Sequence, residues 1–272
     1  MRTSLVLATL VLGGSGAAAA QEIENRVDAA PPDAFVRLTF DARPGLCGDG
    51  ENILFLREDG EHGVSILRNR GSGMSGRTRI RELRERCDEG PVRVTLERSA
   101  GRVTDVEVEV GGSPDAIVEV LDLGHVAPDA AVAYLLDSLA PRADGRTARD
   151  AIFAATLAGG AEPWPALLRL ARDRDLAREV RRHAVFWLGQ AAAERAVDGL
   201  IDIASADDED IALRKHALFA LAQRKDERSI DALLDIAREH EHAELRKAAI
   251  FWLGQSDDAR ALQLFEEILL GR

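Results

Sequence analysis

Histidines, cysteines and short acidic runs are the residues of this 272-residue chain whose types could carry chemistry, and their spacing decides how much. His240-Glu-His242 sets two imidazoles in a turn, without the further nearby ligands that a zinc site needs. Asp49-Gly-Glu-Asn52 hints at calcium but lacks the spaced oxygen ligands of an EF-hand loop. Asp207-Asp-Glu-Asp210 reads as a solvated turn whose charge favours the N-terminus of the next helix. His183 and His216 occupy equivalent places in related segments and read as buried structural histidines. No Gly-rich phosphate loop, His-Glu-x-x-His or Gly-x-Ser-x-Gly is present. The expectation is therefore no catalytic residue, no metal, no cofactor and no enzyme activity.

Cys47 and Cys87 remain. The first twenty residues give Arg2, an apolar run from Leu5 to Leu12 and small residues up to Ala20, the order of a cleaved signal peptide. In an exported chain a cysteine pair reads as a disulfide, with two unpaired buried thiols as the alternative. The expected location is thus periplasmic or extracellular. No other stretch has the apolar length of a membrane span, so none is expected after cleavage. The net charge is −12 without a basic cluster, which argues against nucleic acid as a partner.

The elements around these residues fall into two grammars. Residues 21–35 read as a linker, and residues 36–125 as a small β-rich domain. Val36-Arg-Leu-Thr-Phe-Asp41, Val92-Arg-Val-Thr-Leu-Glu-Arg98 and Val103 to Val110 alternate apolar and polar side chains, the period of half-buried strands. Ile53 to Arg57 supplies another strand, and Ser99-Ala-Gly101-Arg102 a hairpin turn with positive φ at Gly101. These runs predict a small antiparallel sheet. Residues 69–77 read as a flexible loop, followed by a short helix up to Cys87. Beyond Pro128-Asp129 the apolar spacing turns helical.

Within residues 126–272 one phrase recurs at intervals of 33, 33 and 32 residues. It reads Arg149-Asp-Ala-Ile-Phe-Ala, Arg182-His-Ala-Val-Phe-Trp-Leu-Gly-Gln190, Lys215-His-Ala-Leu-Phe-Ala-Leu-Ala-Gln223 and Lys247-Ala-Ala-Ile-Phe-Trp-Leu-Gly-Gln255. A second helix type alternates with it, as in Leu200-Ile-Asp-Ile-Ala204. A period of this length means stacked helix-turn-helix units that bury their apolar faces on one another. Ala151, Ala184, Ala217 and Ala249 mark close helix approach, Trp187 and Trp252 share the buried phase, and Gly189 and Gly254 sit where helices should stop. The sheet is expected to cover one end of the stack.

Val180-Arg-Arg-His-Ala, Leu213-Arg-Lys-His-Ala and Leu245-Arg-Lys-Ala-Ala, with the turns Glu194-Arg-Ala and Glu227-Arg-Ser, resemble HEAT repeats of the short, phycobilin-lyase-like type. Together with the signal peptide and a two-cysteine domain, the chain resembles exported bacterial proteins described by their repeats. The resemblance implies an α+β chain: a small antiparallel β domain followed by an all-α, right-handed HEAT-type solenoid. It also implies a ladder in which an acid six positions before the helix arginine ties the repeats, here Asp175 with Arg181 and Asp208 with Arg214. At Arg246 the matching residue is His240.

The column after the Ala-aliphatic pair departs from such repeats, because Phe153, Phe186, Phe219 and Phe251 stand where a polar residue is usual. Phe186 lies about 130° from the buried stripe, on the flank of Gln190. With Gln223 and Gln255 the column reads either as packing between neighbouring helices or as a groove for a protein or peptide. The function expected is a non-enzymatic scaffold or adaptor in the cell envelope that binds a partner through the concave helical face. The alternatives are an accessory subunit that recognises an envelope enzyme through the β domain, and a lyase-type enzyme.

Overall fold

A computed structural model describes residues 16–50, 52–56, 64–69, 85–112, 119–191, 193–224 and 226–270, with residues 64–69 described by their backbone alone. The alternating runs form strands: β1 (Ala34–Phe40), β5 (Val92–Ser99) and β6 (Arg102–Val110) pair antiparallel. Their inward residues Val36, Leu38, Phe40, Val92, Val94, Leu96, Val106, Val108 and Val110 are all buried, as the period of two requires. The hairpin between β5 and β6 turns through Ala100 and Gly101, both at positive φ.

The sheet is mixed, which corrects the purely antiparallel expectation. Its order is β6-β5-β1-β7, and β7 (Val120–His125) runs parallel to β1 as an edge strand. Leu123 is the buried residue of β7, so the strand carries almost no alternation for a sequence to display. A second, antiparallel sheet contains β2 (Leu46–Gly48), β3 (Asn52–Leu56) and β4 (Val64–Asn69). Cys47 on β2 is disulfide-bonded to Cys87, with their Cα atoms 5.2 Å apart, and Gly48 exchanges two backbone hydrogen bonds with Asp88 beside it. Residues 70–84, covering most of the predicted loop and the start of the short helix, lie outside the described residues.

The stretch read as a linker contains helix α1 (Gly16–Ala29), which begins inside the predicted leader; residues 1–15 lie outside the described residues. Ala20, Ile23 and Val27 share one face of α1 and are buried in the main core. The buried Arg98 guanidinium donates to the carbonyls of Ala30, Pro31, Asp28 and Gly101, satisfying oxygens at the end of α1. A helix with so few apolar positions shows weak periodicity, and its packing against later elements supplies its stability.

The remaining helices are α2 (Pro128–Ala133), a π-helical turn (Tyr134–Leu139), α3 (Gly145–Thr156), α4 (Trp164–Arg172), α5 (Arg178–Gln190), α6 (Glu194–Ser205), α7 (Ile211–Arg224), α8 (Glu227–Glu239), α9 (Ala243–Leu253) and α10 (Ala259–Leu270). The phrase helices α3, α5, α7 and α9 alternate with α4, α6, α8 and α10, so the architecture is α+β with a helical solenoid. Sheet and solenoid share one continuous core. Thr147 Oγ1 donates to Thr104 O (2.7 Å), and Gly159 N donates to Asp41 O (2.8 Å). A Cβ at Gly159 would lie 2.5 Å from the Ala42 carbonyl oxygen, so the chain can pass there only as glycine. The sheet thereby closes the N-terminal end of the stack.

Replacing both cysteines, Cys47→Ser with Cys87→Ser, frees a loop of 40 residues and is expected to cost about 2–4 kcal/mol. Chemical denaturation of the wild type, oxidised and reduced, beside the double variant measures it; an unchanged midpoint would refute the structural role.

Candidate functional site

Helix stacking builds the site. Ala151, Ala184, Ala217 and Ala249 are fully buried, as their spacing predicts, and bring the phrase helices close together. Arg181 and Arg214 are the buried cations of the stack. Each donates through Nε to the carbonyl ten residues earlier, Ala171 or Ala204, at 2.9 Å. Those carbonyls lie at the ends of α4 and α6, where oxygens lack helical partners and the dipole favours a cation.

The far side of each guanidinium reaches into the next repeat. Arg181 Nη2 bonds Glu209, and Arg214 Nη2 meets His240 Nε2 at 2.7 Å; Asp207, in the turn of Arg214's own repeat, lies 3.4 Å from the same Nη2. A guanidinium only donates, so Nε2 of His240 is the acceptor in its contact with Arg214. This corrects the acids expected for the ladder. Asp208 pairs with Arg174 at 2.7 Å on the surface, and the Asp175 amide is bonded by Asp173. Each arginine turns back onto its own repeat's first helix, which points its remaining donors forward, away from the acid six residues before it. In the fourth repeat Arg246 instead donates to the carbonyls of His240 and Glu241.

Burial pushes the Glu209 carboxyl up, but its hydrogen bonds from Arg181 and the Asp210 amide, with the Arg181 and Arg174 charges, hold it below the ordinary carboxylate range. Burial, then the Arg214 charge, pushes His240 below the ordinary imidazole range. Burial also lowers His183 and His216, aided by Arg149 and Arg182 at the first, and Arg182 and His183 at the second.

Beside this ladder runs the ring column. Phe153 is buried, Phe186 and Phe219 are half-buried, and Phe251 is 57% exposed. Trp187 and Trp252 depart from their expected core role: they are half-buried and cross to the preceding repeat. Trp187 lies 5.7 Å from Phe153 and 5.2 Å from Phe186; Trp252 lies 5.0 Å from Phe219 and 4.9 Å from Phe251. At the equivalent position of the third repeat stands Ala220, because a Cβ on Gly189 would approach the Ala220 Cβ to 2.9 Å. Gly189 therefore serves close packing inside α5, whereas Gly254 caps α9 as expected.

A groove of about 760 Å³ opens over Phe153, Phe186 and Trp187. Arg149, Arg178, Arg182, Asp150 and Glu179 edge it, with His183 and His216 between. A second cavity of about 290 Å³ lies at Trp252 and contains Gln223 and Gln255. Gln190 is exposed and lines neither. The column thus spreads over two sites. The sequence reading missed the cations, although the signal stands in the phrase: Arg149, Arg182, Lys215 and Lys247 each precede a column phenylalanine by four residues. Among the described residues no group of three or more His, Cys, Asp or Glu is placed to hold a metal.

Residues 197–271 match the family model for HEAT repeats, and residues 180–205 match that for PBS lyase HEAT-like repeats. No curated protein matches the chain. Among solved structures, human deoxyhypusine hydroxylase in complex with glycerol is similar, at 22% identity and a TM-score of 0.38. The similarity covers 52% of this chain and 43% of that one, so this chain spans less than half of that protein's length.

Two outcomes follow from the ladder. Arg181→Met removes the buried partner of the almost buried Glu209 carboxylate, leaving it the Asp210 amide and a 4.0 Å contact with Arg174, and is expected to cost about 3 kcal/mol in urea unfolding. Arg228→Met, at the exposed pair with Asp198, is expected to cost about 0–1 kcal/mol; equal losses would refute the ladder. Because His183, His216 and His240 titrate below their ordinary value of about 6.5, the unfolded chain binds more protons just below that pH. Their stabilisation is complete above about pH 6.5 and falls as the pH drops through the folded values. His240→Gln should flatten that slope in thermal melts between about pH 6.5 and 5; an unchanged slope contradicts the assignment.

Proposed function

We propose that this HEAT-repeat protein is a non-enzymatic scaffold or adaptor, exported to the cell envelope, that holds a protein partner against the phrase-helix side of its solenoid. The groove over Phe153, Phe186 and Trp187 carries the reading. Half-exposed rings beside charged rims are the anatomy of an interface hot spot, with apolar anchors that exclude water and polar edges that orient a partner. Stacked repeats suit this use, since each adds an equivalent strip to one continuous surface. HEAT repeats commonly mediate protein interactions, and the family matches support that part of the reading.

Export rests on the leader-like order of residues 1–20. Cleavage after Ala20 would start the mature chain at Gln21, within α1, and would retain the buried Ile23 and Val27. N-terminal sequencing of protein recovered from outside the cytoplasm should therefore begin at Gln21. A chain retained inside with Met1 intact overturns the envelope part.

Exposed Phe35 and Leu121 on the β1/β7 side of the sheet favour a second reading, recognition through the β domain. Photo-crosslinking separates the two. A benzophenone amino acid in place of Phe186 should capture a polypeptide, whereas the same group at Arg195, exposed on α6, should not. Adducts formed only from a probe at Leu121 would move the interface to the sheet.

A further inference from the structure

We propose that the groove binds an extended acidic segment, with a carboxylate at about every third residue and apolar side chains between them. The inference rests on the scaffold reading and adds the partner's chemistry. Arg149, Arg182, Lys215 and Lys247 recur with the repeat, one on each of α3, α5, α7 and α9, one helical turn before Phe153, Phe186, Phe219 and Phe251. Cation and ring therefore share a face in every repeat. Packed helices lie about 8–10 Å apart, and an extended polyproline II segment, with three residues per turn and about 3.1 Å of advance per residue, returns a side chain to the same face about every 9 Å, which sets the interval of three.

The charges on this face run against the composition. The whole chain carries −12, yet three arginines stand at the 760 Å³ groove beside Asp150 and Glu179; Arg149 is ion-paired with Asp150 and Arg178 with Asp210, which leaves Arg182 to face an incoming carboxylate. Arg182 and Lys247 are exposed and form no ion pair among the described residues. At Lys215 the chain itself supplies a carboxylate, Glu244 of the following repeat. Burial depresses the titration of His183 and His216 here, with Arg182 adding to it at both. A phosphate backbone would be matched by adjacent cations, whereas here each cation is followed by a ring. Alternating carboxylates and apolar side chains match both rows at once.

A fluorescein-labelled, extended 13-residue peptide with Glu at every third position and Leu or Phe between provides the probe, read by fluorescence anisotropy on the full chain. Binding is expected to weaken about tenfold when Gln replaces Glu, and about tenfold in the Arg182→Glu, Lys247→Glu double variant, whose fold is checked by circular dichroism. Arg195→Glu, a charge reversal on the outer helix α6, should leave binding unchanged. The proposal is overturned if the Glu peptide does not bind, if the Gln peptide binds equally, if Arg195→Glu weakens binding as much as the double variant, or if a single-stranded oligonucleotide binds more tightly. Crosslinking through position 186 together with any of these failures would leave the scaffold standing and remove the acidic partner alone.

Discussion

The solenoid depends on the two-sided use of a buried arginine. Arg181 and Arg214 each close the end of their own repeat's first helix through Nε, then bridge to the following turn through Nη2. A guanidinium suits this because its donors are fixed in a planar fork and it stays charged when buried. Surface pairs such as Arg172 with Asp202 and Arg169 with Asp137 also cross between elements about one repeat apart. Each is exposed and worth about 0–1 kcal/mol, so register is set by the interior bridges, where an unpaired charge would cost several times more.

With register fixed, the difference between repeats becomes structural. Tryptophan follows the column phenylalanine in the second and fourth repeats, and alanine follows it in the first and third. The close approach of Gly189 to Ala220 leaves no space for a third indole. The rings consequently gather in two clusters, Phe153-Trp187-Phe186 and Phe219-Trp252-Phe251, in place of an even ladder. Groove and second cavity follow these clusters, one over Trp187 and the other beside Trp252.

What the sequence made legible was whatever repeats or alternates. The strands with a period of two and the buried alanine column could be read directly, because half-buried elements display their burial in their spacing. The disulfide was read from compartment and cysteine count, and the pair is bonded. Edge strand β7 and helix α1 escaped because they bury few side chains, and a partner remote in sequence secures α1: Arg98 lies 68 residues from Ala30. The ladder acids escaped for a related reason. Spacing within a repeat suggests a partner six residues away, whereas Arg181 takes one 28 residues ahead. Trp187 was placed by phase alone, which cannot distinguish an indole inside its own repeat from one reaching across to the preceding one.

The two ends of the stack differ, and the difference bears on where a groove can work. At the first repeat, α3 is fastened to the sheet through Thr147 and Thr104, and the disulfide ties part of the sheet domain. At the other end α10 leaves Leu262, Ile268, Leu269 and Leu270 exposed, with Ala261 and Leu264 as its buried residues. In a linear array stability accumulates through neighbours, so the repeat fastened to the sheet is held the more firmly. The larger groove lies across the first two repeats and reaches the third, toward the anchored end. Rings and rims held there lose less conformational freedom when a partner docks than the same groups near α10 would, and that saving is retained as affinity.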